Sequence, residues 1–564
     1  MIRLQNALID WVEALGVDHV LTNPRSVEAA QTATFATAAT IPAIIRPSTC
    51  EEVQQCMKIA NKHHIPVYPV SKGKNWGLGS RVPTEDGCVV MDLGRLNRIV
   101  EFNEDLSFIT VEPGVTFRQV STFLRDRGSS LFLAVIGGPP ESSLIGNALE
   151  RGDGLGPYGD RLSNSCAMKV VLPDGECIRT GFGRFDGSAC NGISRWGVGP
   201  SLDGLFSQSN LGIVTQMTFW LMKKPVHFQS FLMKIKNMDR LEGVIETMRE
   251  LHAQGVLRGN SVAIWNAHKM IASERQYPWE LTAGRVPLTL DAMNSLGLPW
   301  KGSEWIGVGA LYSAGRQHAG ADRRMTKKLL RGHVEQIVFL DGIKSQILLW
   351  LRKPLQRLTG IDFGDVIRSL YQESVFLGFP TERSTKSTYW RKKTPIPQDM
   401  DPDRDRCGVI WLCPVTPFRG SDVRKAIDIA TGIANRHRFE PHIAFIFPSE
   451  RAVYMFPTIV YDREVPGEDE RAMDCHDEIF RELLKEGYFP YRLGIHSMRK
   501  MPATADGHDR VVRRIKSALD PQQILSPGRY EFYKEAHTES AQVSEGKKYA
   551  HIENSPKSRL RMMR

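Results

Sequence analysis

A glycine-rich segment directly after a short apolar run places the strongest constraint on how this chain folds. Residues 73–80 read GKNWGLGS, with three glycines in eight positions, and residues 65–71 before them read IPVYPVS. The segment lacks the Gly-Lys-Ser/Thr of a Walker A loop, and RVPTEDG at 81–87 cannot begin the helix that a Rossmann turn requires. It predicts a strand-to-loop turn whose backbone N–H groups converge on an anion such as a pyrophosphate. A turn with a purely structural role is the alternative.

The region that leads into this segment is predicted to be strand–helix–strand. IPAIIRP at 41–47 is a short apolar strand, and Ser48 or Thr49 with an acid three residues later forms a capping box that begins a helix. One face of that helix carries four apolar side chains, those of Val53, Cys56, Met57 and Ala60. Further strands are predicted at 87–93, 107–116 and 167–181, and the last of these turns at Pro173-Asp174-Gly175.

The length and the changes in composition along the chain indicate several domains. A chain of 564 residues is too long for one ordinary core, which predicts roughly two to four domains. The composition shifts near residue 224, where long helical patterns and isolated strands such as 305–315 begin. The polar, Pro- and Asp-rich stretch 391–406 is predicted to be an exposed loop, and an apolar strand at 408–415 follows it. Beyond 534 the chain is polar and poor in aromatic residues, which predicts disorder.

The net charge of +10 raises the question of a nucleic-acid partner. The densest basic cluster, at 322–333, alternates basic and apolar residues at helical spacing, which predicts an amphipathic helix with a solvated face. Neither zinc-finger spacing nor an aromatic–basic RNA motif accompanies it. A solvated basic surface, without a nucleic-acid partner, is therefore the favoured interpretation.

Cysteine usage and hydropathy predict a reducing, aqueous compartment. Nine scattered cysteines, none in a CxxC motif, argue against a disulfide framework, and no metal site is expected. No apolar run approaches the ~20 residues needed to cross a bilayer, and the N-terminal segment reads as an amphipathic helix rather than a secretory signal. The internal SRL at 558–560 resembles a peroxisomal address, but such addresses are read at the extreme C-terminus. We expect a cytoplasmic protein without membrane contact.

Seven segments occur in a characteristic order. They are KGKNWGLGSRVP, ITVEPGVTFRQV, GNALERGDGLGPYGDR, DGLFSQSNLGIVTQMTFWLM, GALYSAGR, PYRLGIH and LDPQQILSPGRY. Together they closely resemble the vanillyl-alcohol oxidase and p-cresol methylhydroxylase family of FAD-dependent flavoproteins. The resemblance covers roughly residues 40–530 and is more specific for the family than for the substrate.

This resemblance implies an α+β fold with an FAD-binding domain of two subdomains and an inserted cap domain built on an antiparallel sheet. The FAD-binding domain would comprise residues 1–224 and be completed by residues 490–533. The cap or substrate domain would comprise residues 225–489. Residues 534–564 would form the disordered tail.

The resemblance also implies which residues contact FAD, with the glycine-rich loop holding the diphosphate. Glycines there let main-chain donors approach oxygen atoms that a Cβ atom would block. Arg529 stands where relatives often have a lysine near the flavin, and it would keep the positive charge. The full implied set is Gly73, Lys74, Asn75, Trp76, Gly77, Leu78, Gly79, Ser143, Gly146, Gly159, Ile213, Arg492 and Arg529.

The chemistry that the resemblance implies is hydride transfer from the α-carbon of a para-substituted phenolate to flavin N5. The resulting quinone methide adds water or loses a proton, and oxygen or an electron-acceptor protein reoxidises the flavin. Tyr491 and Arg492 match the pair that stabilises the phenolate in the family, and they are the predicted catalytic residues. A guanidinium and a phenolic hydroxyl on one oxygen lower the pKa of the substrate. The alternative is a buried tyrosine beside an arginine that pairs with a carboxylate.

Two departures from the family pattern concern the substrate. Relatives commonly have a second phenolate-binding tyrosine inside the glycine loop, where this chain has Leu78. Members of the vanillyl-alcohol oxidase branch have an aspartate above the flavin, where the alignment gives Gly138. Glu141 is the nearest carboxylate in the sequence, with an exposed loop acid as the alternative reading.

A third departure concerns the covalent flavin link. The residue that bonds to the flavin in many relatives is His or Tyr, and the matching position here is Val409, which predicts non-covalent FAD. A link through Cys407 or Cys413 is the alternative, although both are more simply core cysteines. In the following cap strands, relatives place polar groups over the flavin near His442, Tyr454 and Tyr461, and Tyr454 is a candidate for the pocket or for the core.

The leading hypothesis is an FAD-dependent oxidoreductase that abstracts hydride from a benzylic or allylic carbon of a phenolic or related aromatic substrate. A second hypothesis is a tailoring oxidoreductase on a larger substrate, with desaturation or rearrangement as the outcome. A third is a flavin-binding protein without turnover. The expected partners are a small aromatic substrate and oxygen or an electron-acceptor protein, and the resemblance implies a homo-oligomer.

Overall fold

A computed structural model describes residues 2–532 of the chain, except 297, 299, 300, 360–363, 503 and 505. The predicted disordered tail, 534–564, lies outside the described residues. The described part contains helices, three larger sheets and two two-stranded pairs.

The first sheet has four strands and lies in the N-terminal part. Its order is Val20–Leu21, Ile44–Ile45, Val89–Asp92 and Val67–Val70. Val67–Val70 and Ile44–Ile45 each run parallel to Val89–Asp92, and only the outermost pair is antiparallel. Parallel strands end at the same edge of a sheet, so the glycine loop leaves this sheet from the edge where the central strand also ends.

The second sheet has five antiparallel strands. Its order is Ile99–Asn103, Phe108–Val111, Ile213–Trp220, Ser165–Val171 and Cys177–Arg179. The last two strands form the predicted hairpin, and the Gly175 N–H donates to the Leu172 carbonyl at its turn. The strands Leu131–Phe132 and Met222–Lys223 form a separate antiparallel pair.

The third sheet has seven antiparallel strands and belongs to the middle region. Its order is Gln336–Leu340, His227–Ile235, Trp305–Ser313, Val262–Asn266, Ala444–Ile446, Ala452–Met455 and Val415–Pro417. The strands Cys407–Trp411 and Thr458–Asp462 form a separate antiparallel pair. These features confirm the predicted α+β fold with a cap built on an antiparallel sheet.

The α-helices are Ile2–Leu15, Pro24–Gln31, Cys50–His63, Phe117–Asp126, Leu144–Leu149, Met238–Ala253, Ala267–Glu274, Trp279–Thr282, Leu290–Ser295, Arg316–Leu330, Gly342–Trp350, Arg352–Thr359, Gly364–Ile367, Gly420–Arg436, Glu468–Lys485 and His508–Leu519. Short 3₁₀ turns include Leu93–Arg95, Asp203–Phe206, Thr385–Tyr389 and Met498–Lys500. The basic cluster at 322–333 lies largely within Arg316–Leu330, as its helical spacing predicts.

The helix Cys50–His63 forms as the sequence predicts because both of its ends carry capping residues. The Thr49 side chain accepts from the Glu52 N–H at 3.1 Å, and the Glu52 carboxylate accepts from the Ser48 N–H at 2.6 Å. At the other end, His64 adopts a left-handed conformation with φ 56°. The four predicted apolar side chains are buried and pack against the first sheet.

The C-terminal segment returns to the first sheet. The Val67 N–H donates to the Ile524 carbonyl at 2.8 Å, and the Ser526 N–H donates to the Val67 carbonyl at 2.8 Å. Ile524 and Leu525 belong to the same hydrophobic cluster as the helix Cys50–His63. The predicted boundaries at 224 and 489 stay a prediction, but the late segment does complete an early sheet.

A buried ion pair holds this returning segment. Lys516 and Asp520 are both fully buried, and the lysine Nζ lies 2.6 Å from Asp520 Oδ2. The same ammonium donates to the carbonyl groups of Asn210 and Leu525 at 2.8 and 2.9 Å. These contacts tie the last described helix both to the loop before the strand Ile213–Trp220 and to the segment after the helix.

The stretch 391–406 is a loop as predicted, but the prediction that it is exposed is wrong for part of it. Lys392 is 4% exposed and Asp403 is 6% exposed. Lys392 pairs with Asp462 at 2.9 Å, so a partner in the cap compensates its burial. Asp403 is held by the glycine loop, as described below.

Candidate active site

A cavity of about 410 Å³ lies where the glycine loop, the second sheet, the cap and the C-terminal segment meet. That volume is in the range of small-molecule and cofactor sites. Its lining includes the predicted residues Gly73, Lys74, Asn75, Trp76, Leu78, Gly79, Ser143, Gly146, Ile213, Tyr491, Arg492 and Arg529. Residues from five distant parts of the sequence therefore meet around one space.

The glycine loop presents free backbone donors. Four successive N–H groups, those of residues 73–76, make no hydrogen bond within the described part of the chain. Gly73 has φ +64° and Gly79 has φ +124°, conformations that L side chains rarely adopt. Gly73 and Trp76 are buried, and buried N–H groups normally have partners, so these free donors fit an anionic ligand.

Trp76 anchors this loop to the cap. Its indole N–H donates to Asp403 Oδ2 at 3.0 Å, and the Ser80 hydroxyl donates to Asp403 Oδ1 at 2.7 Å. Burial raises the pKa of the Asp403 carboxyl to about 7, against the two hydrogen bonds that favour the charged form. The ammonium group of Lys74 lies 4.8 Å from the centre of the Trp76 ring.

Two of the predicted FAD residues do not line the cavity. The Gly77 carbonyl accepts from the Trp411 N–H at 3.0 Å, and a Cβ atom on Gly77 would lie 2.7 Å from the Trp411 ring. A Cβ atom on Gly159 would lie 2.4 Å from Asn260 Nδ2 and 2.5 Å from the Gly154 carbonyl. Close packing of the cap against the glycine-rich segments therefore accounts for both glycines in this structure.

Ser143 caps the short helix Leu144–Leu149 beside the loop. Its hydroxyl accepts from the Gly146 N–H at 2.9 Å and donates to the Pro113 carbonyl at 2.6 Å. A Cβ atom on Gly146 would lie 3.3 Å from the Ser71 hydroxyl. A larger side chain at that position would crowd the hydroxyls of Ser71 and Ser143.

Arg529 lies on the C-terminal side of the cavity and has partners already. Its guanidinium donates to the Tyr68 hydroxyl and forms an ion pair with Glu150. The Tyr530 hydroxyl also donates to Glu150, at 3.1 Å. The positive charge that the family resemblance calls for is therefore present but shared with a carboxylate.

Tyr491 and Arg492 lie on the wall of the cavity and are held on both sides. The Tyr491 N–H donates to the Cys413 carbonyl at 3.0 Å, and its carbonyl accepts from Gln208 Nε2 at 2.8 Å. The Arg492 guanidinium donates to Asn75 Oδ1 at 2.6 Å, which joins it to the glycine loop. Its Nε atom is buried and has no hydrogen-bond partner within the described residues. Burial raises the pKa of Tyr491 well above its usual value.

Asp153 and Arg161, which sequence reasoning missed, add charge at this end. Asp153 lines the cavity and accepts from Asn260 Nδ2 at 2.9 Å, and burial raises its pKa to about 7. Arg161 is 2% exposed, and burial lowers its pKa to about 9. Both residues lie in the quoted segment GNALERGDGLGPYGDR, but nothing in that segment distinguishes them from loop charges.

The departures from the family pattern can be located in the structure. Leu78, 2% exposed, lines the cavity, as do Gly138 and Val409. Glu141 is half exposed and forms an ion pair with Arg118 at the surface. It does not line the cavity, so Glu141 does not replace the carboxylate that is missing at Gly138.

The groups able to bond covalently to a flavin are few. Among the described residues, the lining contains no cysteine and no histidine, and its tyrosines are Tyr68 and Tyr491. Cys407 and Cys413 lie outside the lining, and burial raises the pKa of the Cys413 thiol to about 12.

The three polar cap residues differ in position. Tyr454 stacks on Tyr491 with ring centres 4.2 Å apart. The Tyr461 hydroxyl donates to Asp469 at 2.7 Å, so this tyrosine belongs to the core of the cap. His442 is 1% exposed, and burial holds its pKa well below its usual value.

Comparison with known proteins gives the same assignment. Residues 41–181 match the model of an FAD binding domain. The chain is 47% identical over 529 residues to 1′-carboxy-chondrochloren decarboxylase of Chondromyces crocatus, which covers 94% of this chain and 97% of that protein. It is 30% identical over 495 residues to the flavoprotein subunit of 4-cresol dehydrogenase [hydroxylating] of Pseudomonas putida, which covers 86% and 87% of the two chains.

Two solved structures share the whole fold. The structure of p-cresol methylhydroxylase with substrate bound superimposes with a TM-score of 0.81 at 27% identity, over 94% of this chain and 97% of that one. The isoeugenol complex of 4-ethylphenol oxidase from Gulosibacter chungangensis gives a TM-score of 0.84 at 28% identity, over 95% and 98%.

The fold and the cavity define an FAD-dependent oxidoreductase. The free donors of the glycine loop and the capped helix beside it fit the anionic groups of FAD. The chain belongs to the vanillyl-alcohol oxidase and p-cresol methylhydroxylase family of flavoproteins, as its sequence motifs predict. Within the described residues, no helix is both long enough and apolar enough to span a bilayer.

Proposed function

We propose that this enzyme oxidises a para-substituted phenol at the carbon next to the ring, with FAD bound non-covalently. The observation that carries the proposal is the Arg492 guanidinium, which lines the cavity beside Tyr491 and keeps a buried Nε–H without an acceptor. A phenolate oxygen is an acceptor of suitable charge for that donor.

Bound FAD supplies the acceptor for the hydride. The residues that would hold it are the free N–H donors at 73–76, Ser143, Ile213 and the Arg529–Glu150 pair. Non-covalent attachment is supported by Val409, which lines the cavity with an aliphatic side chain, and by the absence of His and Cys from the described lining.

The positive charge at the Tyr491 end favours the anionic form of the phenol. Arg492 and Arg161 bring two guanidinium groups. Burial raises the pKa of Asp153 to about 7, so this carboxyl is partly neutral at pH 7, and the exposed Asp160 also acts on Arg161. The Tyr491 hydroxyl is a second donor, because burial keeps it protonated. Leu78 adds an apolar wall where relatives have a third donor, so fewer hydrogen bonds fix the phenolate here.

A second candidate outcome is loss of CO₂ instead of addition of water. Two observations favour it: Gly138 leaves no carboxylate there to activate water, and the relative at 47% identity is named a decarboxylase. When a hydride leaves the benzylic carbon, the phenolate becomes a quinone methide. A carboxylate on the next carbon then leaves as CO₂. The electron pair of the broken C–C bond forms the new C=C bond, and the ring oxygen becomes a phenolate again.

The test is anaerobic bleaching of the flavin by 4-alkylphenols and by 3-(4-hydroxyphenyl)propanoate. We expect Tyr491→Phe to slow bleaching at least about tenfold, because it removes a charge-assisted hydrogen bond. Tyr454→Phe is the matched control, since its ring stacks on Tyr491 but it does not line the cavity, and it should bleach at the wild-type rate. Equal rates for both variants would refute the phenolate role.

Product analysis separates the two outcomes, and acid precipitation tests the mode of FAD binding. With 3-(4-hydroxyphenyl)propanoate labelled in its carboxyl group, decarboxylation releases labelled CO₂ and 4-vinylphenol, whereas hydroxylation keeps the label in the product. Non-covalent FAD appears in the supernatant after acid precipitation. Flavin that stays in the pellet would indicate a covalent link and would contradict the non-covalent attachment inferred from Val409.

A further inference from the structure

Three lysines are buried in the described part of the chain, and one of them lacks an ion pair. Lys392 and Lys516 are each paired with carboxylates. Lys269, 9% exposed, donates only to the Ser387 hydroxyl, at 3.3 Å, and no described carboxylate lies within ion-pair distance of its Nζ. Lys269 and Ser387 both line the cavity.

A buried cation without a counter-ion is costly. Moving a charge out of water costs several kcal/mol after relaxation, and Lys392 and Lys516 recover that cost through their partners. Burial lowers the pKa of Lys269 to about 8, so the ammonium is still mostly protonated at neutral pH. A counter-ion that arrives with the ligand would complete this site.

Two hydroxyl groups without partners line the cavity in the same short segment as Ser387. Ser384 and Thr385 line the cavity, and neither Ser384 Oγ nor Thr385 Oγ1, both buried, has a hydrogen-bond partner among the described residues. Thr385 is 4% exposed, and Ser387 lies two residues further on. We call Lys269, Ser384, Thr385 and Ser387 the acid pocket.

The acid pocket lies in a different part of the cavity from Tyr491. Tyr491 stacks on Tyr454, which packs in a cluster with Leu155, Ala263 and Ile446. The helix Ala267–Glu274, which carries Lys269, packs instead in a cluster with Val460 and Trp390. Val460 pairs with Val409, and both line the cavity. Val460 lies six positions after Tyr454 along the chain, a span of no more than about 20 Å.

We propose that the acid pocket binds a carboxylate on the side chain of the substrate while the phenol lies at Tyr491 and Arg492. This inference rests on the proposed function and narrows its substrate class to phenols with an acidic side chain. An ammonium and two unpartnered hydroxyls supply three donors, which suits the two oxygens of a carboxylate. The diphosphate of FAD has its own donors in the N–H groups of the glycine loop.

The other ionisable groups around the acid pocket do not supply a counter-ion. Burial lowers the pKa of both His268 and His442, which keeps these imidazoles neutral. Arg391 is a further cation that acts on His442. Glu440 lies 3.5 Å from His268 and accepts from the Leu288 N–H, and burial raises its pKa to about 7.

The experiment is a calorimetric titration of anaerobic holoenzyme with reduced flavin, so that no ligand is turned over. The probes are 3-(4-hydroxyphenyl)propanoate and its primary amide, which have the same size but differ in charge. We expect the wild-type enzyme to bind the acid about tenfold or more tightly than the amide at pH 7. Lys269→Met should remove that preference and leave the affinity for the amide unchanged. Lys386→Met is the matched control, because it removes an exposed lysine from the same segment, and it should keep the preference.

The failure of this inference is distinguishable from failure of the proposed function. If the phenolate role is wrong but the acid pocket is right, Tyr491→Phe leaves both affinities unchanged and Lys269→Met still weakens the acid alone. If Lys269→Met weakens acid and amide equally, or releases FAD, Lys269 has a packing or cofactor role and the inference is overturned.

A measurement on the wild-type protein covers the case in which Lys269→Met does not fold. The preference for the acid should fall at least about tenfold between pH 7 and pH 10, because the ammonium loses its proton above a pKa of about 8. Lys269→Arg should keep the preference at pH 10, since arginine stays protonated. A preference that does not change with pH in the wild-type enzyme would overturn the inference.

Discussion

The indole N–H of Trp76 donates a hydrogen bond of 3.0 Å to the carboxyl group of Asp403, which lies 327 residues later in the chain. The contact joins the loop that faces the cofactor site to a buried part of the loop at 391–406. Asp403 also accepts from the Ser80 hydroxyl, so one carboxyl group binds two side chains of the glycine loop. The position of the loop therefore depends on the cap.

Replacement of Trp76 by phenylalanine tests this link. Trp76→Phe keeps most of the ring but leaves Asp403 Oδ2 without its donor, which should lower the free energy of unfolding by about 1–3 kcal/mol. The loss of unfolding free energy should be larger at pH 8 than at pH 5, because an ionised Asp403 carboxylate is more costly to bury without a donor than a neutral carboxyl group is. Urea denaturation at the two pH values measures it. Equal losses at both would show that only packing of the indole matters.

Asp403 should also make the stability of the protein depend on pH. Its pKa is raised from 3.8 to about 7 in the folded protein, so the folded state holds the proton more tightly than the unfolded chain. The resulting stabilisation is complete below about pH 4 and is lost as the pH rises through about 7. Asp403→Asn keeps an acceptor for Trp76 and a donor for Ser80 without the charge. We expect the variant to lose less stability than the wild-type protein between pH 5 and pH 8.

The measurement is the melting temperature of both proteins across that range. Asp153 and Glu440 also have pKa values raised to about 7, so the melting temperature of the Asp403→Asn variant will still depend on pH. The informative quantity is the difference between the two curves. A constant difference from pH 5 to pH 8 would contradict a raised pKa for Asp403.

Leu78 should determine how tightly simple phenols bind. Leu78→Tyr restores a hydroxyl at a position that lines the cavity, and one hydrogen bond to a charged oxygen is worth about 1.5–3 kcal/mol. We expect the variant to bind 4-ethylphenol about tenfold or more tightly, as seen in the perturbation of the flavin spectrum. Leu78→Phe is the control for the added ring. The same affinity in both variants would mean that the hydroxyl does not reach the phenolate.

The pair Lys516–Asp520 should be indispensable for stability. Lys516→Met leaves a fully buried carboxylate without its cation, which costs about 3–5 kcal/mol. The same change removes donors from the carbonyl groups of Asn210 and Leu525. Asp520 also accepts from the Ile524 and Leu525 N–H groups, so its uncharged partner variant must keep an acceptor. Chemical denaturation measures the loss, and the double variant Lys516→Met/Asp520→Asn, which removes the buried charge and keeps one acceptor oxygen, should recover part of it. No recovery would contradict the unpaired charge of Asp520 as the cause of the loss.

Local patterns and family motifs predicted much of this molecule. The helix Cys50–His63 has its capping box and its apolar face within fifteen residues of sequence, so the pattern alone determines it. The glycine loop was predicted to hold an anion, and its free N–H groups at 73–76 agree with that interpretation. The family was predicted from the order of seven segments, and the comparisons confirm it.

Contacts between distant segments could not be predicted from the sequence. Asp403 lies in a stretch rich in Pro, Asp, Arg and Lys, a composition typical of a solvated loop, and only its partners Trp76 and Ser80 make burial possible. Lys269 lies in the helix with the sequence AHKMIASE, where a single lysine is typical of a solvent-exposed face. Gly77 was assigned to FAD because of its motif, although its space is filled by Trp411.

The hydrogen bonds that pair Val67 with residues 524–526 have a consequence for biosynthesis. An edge of the first sheet, and part of the hydrophobic cluster beneath it, are supplied by residues that a ribosome makes only after the cap. The cap, in contrast, has its whole sheet between residues 227 and 455. During translation the cap can therefore fold before the N-terminal sheet has formed its hydrogen bonds with residues 524–526. Loss of a few residues near position 525 would leave that apolar surface exposed in every newly made chain.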